Sequence, residues 1–407
     1  MKIALYYPWV YLPGGPERTI SAVLAQSRHQ WDVFTNHYEP EATFPALRNA
    51  NITELNRVPV NRSFFPVAQS AWRIARQKLP LEGYDALVVF CEGLGDFLMF
   101  RNTSIPVICL CFTPLRAAFD VPYQERYLSA NPGRFWRGPA LAISSAIYRA
   151  IDRRLWKKYR AVFAISAEVR RRIAAGRLYP EEKVGLLYPG VDIGHLAPTG
   201  ESSKDFLIPG RIMWTKNLEL AIDAFLLLVQ RRPDLAEFSL TIAGHVDKKS
   251  GPYYEKLQAR AAGCPQIRFR TSLTDAMLFG LCNSAFAVVY PPFNEDWGLI
   301  PLEAMAFEKP VVAVNRGGPS ETVIHGETGL LVDPEPEKFA AAMEMLADNP
   351  GLVRRMGKRA RLRAMEFDWS RFCARLDDAM EELLTPPRLE SGAPAGEADF
   401  KPSLENR

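Results

Sequence analysis

Glu295 and Glu303 are separated by seven residues, and Trp297-Gly298-Leu299 between them opens an apolar helical run. The first N–H groups of a helix have no partners within it and carry partial positive charge, which suits a diphosphate. Gly298 lets the backbone approach such a group closely, with Leu299 the next residue of the same helix start. Glu295, in the loop before the helix, is placed to reach a sugar hydroxyl. Glu303, further along, can accept two hydrogen bonds from a ribose diol, as acidic residues do in dinucleotide-binding folds. A second pair comes earlier: Arg211 and Lys216 stand between a strand and a helix in LIPGRIMWTKNLELAI. Two fixed cations there can neutralise a leaving diphosphate, the Arg bidentately. Taken singly, these residues also fit a capped helix with surface carboxylates and two ordinary surface cations.

Such loops need strands and helices to hold them. Short β-type runs (KIALYY, WDVFT, ALVVF, IPVICLCF, AVFAIS, KVGLLYPG) alternate with helical ones, one of them a long stretch from about Ala140 to Tyr159. This rhythm implies parallel strands with crossover helices. Ser166 is placed to cap the helix that begins at Ala167. A Gly/Pro/Thr/Ser-rich stretch then interrupts the pattern, after which DFLIPG, FSLTIAG, QIRFR, FAVVYPP, PVVAVN and GLLVD restart it. The expected organisation is an N-terminal domain over 1–190, a linker over 191–204 and a C-terminal domain over 205–366. A helix over 367–384 is expected to pack back on the N-terminal domain, and a disordered tail to follow over 385–407. The fold class is α/β: two doubly wound, Rossmann-like domains facing across a cleft, with ligands at the carboxyl ends of their strands.

The 407 residues are 48% hydrophobic and 24% charged, which suits two ordinary globular cores. No apolar run approaches the roughly 18–20 residues a spanning helix needs, and MKIALYYPWVYLPGGPER reads as a strand and loop, not a secretory signal. Six scattered cysteines without a paired C-x-x-C favour a reducing, cytoplasmic location. The net charge of +4 is unremarked except in its distribution, since basic residues crowd between Arg126 and Arg172. There TrpArgGlyPro at 136–139 precedes an apolar series, Leu141, Ile147, Ile151 and Leu155, flanked by Arg and Lys. An amphipathic, basic segment of this kind can lie on an anionic membrane, and it equally fits a crossover helix with solvated charges. It carries no recognised nucleic-acid motif, so no nucleic-acid partner is expected.

The segment Tyr290–Asp333 as a whole is more specific than its parts. Glu295, Glu303, Gly317-Gly318, Glu321 and Thr328-Gly329-Leu330 follow one another with an apolar strand between. This series resembles the nucleotide-sugar motif of the retaining GT-B glycosyltransferases of the large family-four type, the glycosyl transferases group 1. Arg211 and Lys216 resemble the family's diphosphate-binding pair, and Gly14-Gly15 its N-terminal glycine loop, which contacts the donor phosphate as the domains close. The resemblance implies a GT-B fold and a hexosyltransferase. Arg211, Lys216 and Glu295 are its catalytic residues, with donor contacts at Gly14, Gly15, Gly298, Leu299 and Glu303. It implies no cofactor and no metal, the nucleotide-sugar donor being a substrate, and the chain has no Asp-x-Asp triplet. Front-face substitution, in which the leaving phosphate takes the acceptor proton, is the mechanism it implies.

The motifs are closest to Alg2-like and O-antigen-type mannosyltransferases, which puts GDP-mannose ahead of UDP-sugars as donor. The acceptor implied is a saccharide or lipid-linked saccharide in glycan or polysaccharide biosynthesis, and the enzyme is peripheral on the cytoplasmic face of the membrane. One departure stands out. Relatives carry Cys-His-Thr-Pro-x-Arg where this chain reads Cys111-Phe112-Thr113-Pro114-Leu115-Arg116. The strand over Ile105–Cys111 is expected to end at the cleft, so Phe112 just past it should face the acceptor, although it cannot hydrogen-bond a sugar; the acceptor-side candidates are Glu92, Phe112 and Arg116. A donor-binding homologue with impaired transfer is the alternative this departure leaves open.

Overall fold

Strands that are short, apolar on both faces and joined by helices form parallel sheets covered on both sides. The computed structural model describes residues 1–60, 64–129, 137–247 and 249–385, and in it the chain builds two such sheets. Two compact units result, one of Met1–Tyr188 with the C-terminal chain from Ser370, the other Pro189–Trp369.

The first unit contains β1 (Lys2–Tyr6), β2 (Gln30–Thr35), β3 (Ile52–Glu54), β4 (Ala86–Glu92), β5 (Val107–Thr113), β6 (Ala161–Ala164) and β7 (Val184–Leu186). They lie in the order β3-β2-β1-β4-β5-β6-β7, all parallel. Helix α1 (Gly15–Gln26) follows β1, α2 (Phe64–Arg76) precedes β4, α3 (Arg137–Trp156) precedes β6 and α4 (Ala167–Ala175) follows it. Ser166 caps α4 by accepting from the Val169 N–H at 3.0 Å. The sequence predicts that the strand near residue 110 ends at Cys111. Instead β5 runs on to Thr113, because Phe112 finds an apolar place beside Phe90, their rings 5.1 Å apart.

The second sheet has the order β10-β9-β8-β11-β12-β13. Its strands are β8 (Asp205–Pro209), β9 (Ser239–Ala243), β10 (Ile267–Arg270), β11 (Ala287–Tyr290), β12 (Val311–Val314) and β13 (Gly329–Val332). Helix α5 (Leu218–Arg231) follows β8, α6 (Leu299–Ala306) follows β11 and α7 (Pro336–Asp348) follows β13. Phe206, Phe225, Phe339 and Met343 form the centre of its core and are fully buried. The stretch 191–204 lies within this unit: Lys309 Nζ donates to the Glu201 carbonyl at 2.6 Å and Arg361 to that of Leu196 at 2.8 Å. Helix α8 (Trp369–Leu384) runs almost wholly in the first unit, where Asp377 accepts from Ser27 Oγ at 2.6 Å and the Arg28 N–H at 2.9 Å. Of the tail expected over 385–407, only Thr385 lies among the described residues.

In each sheet the strand order reverses once, between β1 and β4 and between β8 and β11. Connections leave such a point toward opposite faces and open a crevice at the carboxyl ends of the two strands. Both sets of candidate residues lie at these points.

Candidate functional site

In the second unit, β8 delivers Gly210 and Arg211 to the switch point, and β11 delivers Tyr290, Pro291 and Pro292 beside them. These residues and Lys216 line one small pocket. Lys216 closes a 3-10 turn, Trp214–Lys216, after which Asn217 takes a left-handed conformation at φ +52° and α5 begins. Asn tolerates that conformation better than most residues. Lys216 is thereby held over the Tyr290 ring, its amine 5.6 Å from the centroid. The same amine donates to Glu295 Oε2 at 2.7 Å, and the Tyr290 hydroxyl donates to that oxygen at 3.0 Å. Lys216 and Glu295 are both about four-fifths covered, so their pairing is shielded from solvent far better than a surface ion pair.

Tyr290 has no role in the sequence reading, yet it joins the constellation. Its hydroxyl is pushed well above the usual phenol range, by burial first and then by the Glu295 charge and hydrogen bond. Glu303 adds to this, and Arg211 opposes it. Tyr290 therefore stays a neutral donor and, with Lys216, holds the same oxygen of the Glu295 carboxylate. The signal was available: a tyrosine ends an apolar strand just before Pro-Pro, where a buried hydroxyl must find a partner.

Gly298 precedes α6 at φ +87°, a conformation that favours glycine, and a Cβ there would stand 3.0 Å from the Tyr290 hydroxyl. Leu299, the first residue of α6, is half-buried. The glycines at 317 and 318 serve the loop rather than a ligand directly. A Cβ on Gly317 would lie 2.3 Å from the Glu295 carbonyl oxygen, and one on Gly318 2.2 Å from that of Trp297. The Gly318 N–H donates to the Glu295 carbonyl at 3.1 Å. The Glu295 loop is thus clamped from behind, and Trp297 anchors it by donating from its ring nitrogen to the Pro189 carbonyl at 3.0 Å. Glu303 is buried on α6, outside the pocket lining, and its charge acts on Tyr290 and on Cys282. The arrangement offers two cations and a helix start to a diphosphate, and a fixed carboxylate beside them to a sugar.

In the first unit the candidates gather at the other switch point. Tyr7, just past β1, donates from its hydroxyl to Glu92 Oε2 at 2.7 Å at the end of β4. Gly14 caps α1 and Gly15 begins it. Glu17, which the sequence reading passes over, folds back beneath this turn. A Cβ on Gly14 would meet its Oε2 at 2.5 Å, and that oxygen is buried with no hydrogen-bond partner. An acidic residue three positions after a helix cap is a recognisable signal for such a turn. Arg116 lies just beyond β5 at the start of a short helix, Arg116–Phe119. Phe112 is inside β5 and only 6% exposed, so it offers an acceptor little surface, contrary to its expected place past the strand end.

The Glu17 carboxyl is pushed up to about 8 by its burial, with the Glu92 charge adding to this and the N–H groups of Glu17, Tyr11 and Leu12 opposing it. A carboxyl raised in this way favours the folded state while protonated. That contribution is complete below the unfolded value of 4.5 and is lost as the pH rises through about 8. Glu17→Gln, which cannot ionise, should therefore flatten the fall of Tm over this interval. Parallel Tm–pH curves for parent and variant would refute the assignment.

One group of metal-ligand type occurs among the described residues. Cys91, Asp96 and Cys109 present ligand atoms within 4.8 Å of one another inside the first unit. The Asp96 oxygens already accept from Cys91 Sγ at 3.0 Å and the Tyr159 hydroxyl at 2.5 Å, so the group is a hydrogen-bonded part of the core.

Comparison with known proteins identifies the family. The family described as Glycosyl transferases group 1 matches residues 197–363, and Glycosyltransferase Family 4 matches residues 14–195. The alpha-1,3/1,6-mannosyltransferase ALG2 of Rhizomucor pusillus is 33% identical over 444 residues, covering 97% of this chain and 94% of its own. That of Mus musculus is 28% identical over 379 residues, covering 87% and 89%. Among solved structures, HepE of Anabaena in complex with UDP and glucose superposes with a TM-score of 0.70 at 17% identity, covering 94% of this chain and 99% of its own. That last likeness speaks to the fold alone, which is GT-B. Matched in both halves, and along nearly its whole length by a mannosyltransferase, the chain belongs to the group 1, family-four glycosyltransferases and is a glycosyltransferase.

Proposed function

We propose that the chain is a retaining hexosyltransferase that moves mannose from GDP-mannose to a saccharide acceptor, in glycan or polysaccharide biosynthesis. The observation that carries this reading is the constellation of Arg211, Lys216, Tyr290 and Glu295 at the β8/β11 switch point, together with the similarity to mannosyltransferases over most of the chain. The acceptor we favour is lipid-linked, and the enzyme works at the cytoplasmic membrane surface.

In the transfer, the bond between the sugar C1 and the diphosphate oxygen breaks and the acceptor oxygen bonds to C1 on the same face. The acceptor proton passes to the departing phosphate, so no side-chain nucleophile, metal or cofactor is needed. Lys216 and Arg211 stabilise the charge that grows on the diphosphate, aided by the N–H groups at the start of α6. Glu295, held by Lys216 and Tyr290, orients the sugar. Glu303 takes the ribose.

Calorimetric titration with GDP, UDP and ADP tests the donor. GDP should bind at least about tenfold more tightly than the others, a difference of about 1.4 kcal/mol. A preference for UDP would replace GDP-mannose by a UDP-sugar. Tight GDP binding without transfer to any saccharide would favour a donor-binding homologue, the reading that Phe112 motivates.

A further inference from the structure

Helix α3 leaves two large apolar side chains outside. Its inward face carries Ser145, Tyr148, Asp152 and Leu155, all buried, while Ile143 and Ile147 point to solvent at 63% and 58% exposure. The sequence reading joins Ile147 and Leu155 in one apolar face; the fold buries only its C-terminal end, so Leu155 is covered while Ile147, two turns earlier, is left outside. Ser145 Oγ donates to the Ala117 carbonyl at 2.9 Å and the Tyr148 hydroxyl to that of Gly93 at 2.8 Å.

The exposed apolar surface does not end there. Strand order rises from β1 through β4 and β5 to β6, so right-handed crossovers put α2, the 3-10 segment Leu94–Phe100 and α3 side by side on one face of the first sheet. The outer side of this layer also bears Phe65, Trp72 and Phe100, exposed at 84%, 60% and 48%. Apart from Met1, every large exposed apolar side chain among the described residues of this unit lies between β3 and β6. Soluble surfaces rarely gather so many unless something covers them.

Charge identifies what covers this one. The three elements expose no acidic side chain, since Asp96 and Asp152 are buried. Their exposed charges are basic: Arg76, whose guanidinium lies 4.9 Å above the Trp72 ring, with Arg154 and Lys157 at the end of α3 and Arg101 after Phe100. Lys158 is exposed as well, with its amine donating to the Met99 carbonyl at 2.9 Å, while Arg153 is half-buried and donates to that of Gly176 at 2.9 Å. Exposed aromatic rings and isoleucines, with cations at the carboxyl ends of the same three elements, match the boundary of an anionic bilayer, where rings sit at headgroup level and cations meet lipid phosphates. A protein partner of mixed charge would not call for a face without acids.

We propose that the outer face of α2, Leu94–Phe100 and α3 docks on an anionic lipid surface, with Trp72, Ile143 and Ile147 entering the headgroup layer. This rests on the reading of a lipid-linked acceptor for its purpose, but docking is measured without transfer. The full chain is sedimented with vesicles of phosphatidylcholine, alone or mixed with phosphatidylglycerol. It should bind the mixed vesicles, and binding should weaken without vanishing as salt rises. The triple variant Trp72→Ser/Ile143→Ser/Ile147→Ser and the single variant Ile147→Glu should each lose at least about tenfold in partitioning. Both alter exposed side chains, so their circular dichroism and Tm should match the parent. Ile324→Ser with Met345→Ser, exposed apolar positions of the other unit, should bind as the parent does. No binding by the parent, or equal binding by the triple variant, overturns the proposal. So does a parent dimer that the triple variant dissolves, which would make this face a contact between copies. Transfer from GDP-mannose to lipid-linked and soluble saccharides, assayed in parallel, separates the two readings: its absence with both, docking intact, sinks the function proposed above and leaves the docking surface standing.

Discussion

Lys216→Ala should lower kcat by about 10²–10³-fold while leaving the fold intact, the usual cost of removing one group that stabilises developing charge. Lys216 has two tasks in the constellation. Its amine faces the pocket that Arg211 shares, and it donates to Glu295 Oε2 at 2.7 Å. Alanine therefore removes a charge from the diphosphate and also takes one donor from a largely covered carboxylate that Tyr290 holds at 3.0 Å. Arg211→Ala, on an exposed residue with no part in that pairing, should cost a similar factor through the diphosphate alone. The two variants are distinguished by coupling to Glu295→Gln. The Lys216 and Glu295 substitutions should be strongly non-additive because they share a hydrogen bond, and the Arg211 and Glu295 substitutions nearly additive. Steady-state rates with a saturating donor measure this. Full activity in either single variant would remove both cations from the proposed chemistry.

Gly318→Ala should lose about 10²-fold in activity, although the residue touches no substrate in the proposed mechanism. Its backbone is in an ordinary helical conformation, φ −53°, so alanine meets no torsional objection. The objection is spatial: the added methyl would fall 2.2, 2.3 and 2.5 Å from the O, Cα and C atoms of Trp297. Backbone cannot rotate away as a side-chain end can, so the loop bearing Glu295 must move. A displacement of about 1 Å at a reacting group suffices for the predicted loss. Stability should fall too, by about 1–3 kcal/mol, as for other overpacked sites. Assaying well below the lowered Tm separates misplacement from unfolding. An active, equally stable variant would show that the loop is not clamped from behind.

These cases mark where reading residues in order succeeds and where it stops. The alternation of short apolar runs with helical ones foretold two parallel sheets, since period and strand length are local properties of the chain. Ser166 was legible as a cap for the same reason. The spacing of Glu295 and Glu303 and of Arg211 and Lys216 pointed to the second half of the chain. Their partners did not follow: Tyr290 is five residues from Glu295 but meets it only because β11 ends beside the loop, and Lys216 reaches it across 79 positions. Phe112 misled because a strand boundary depends on whether the next side chain finds a place in the core, here beside Phe90.

The sequence by itself determined the fold class and the segments that carry the motifs, because period and spacing run along the chain, and the family entered through the resemblance of those motifs. Tertiary structure alone decided which part of α3 is outside, why the glycine pair behind Glu295 admits no methyl, and which basic side chains are tied to distant carbonyls. Each of these depends on what a distant segment places within a few ångströms. Helical period marks an apolar stripe without saying which way it turns, and the carbonyls that occupy Arg153 and Lys158 belong to residues 23 and 59 positions away.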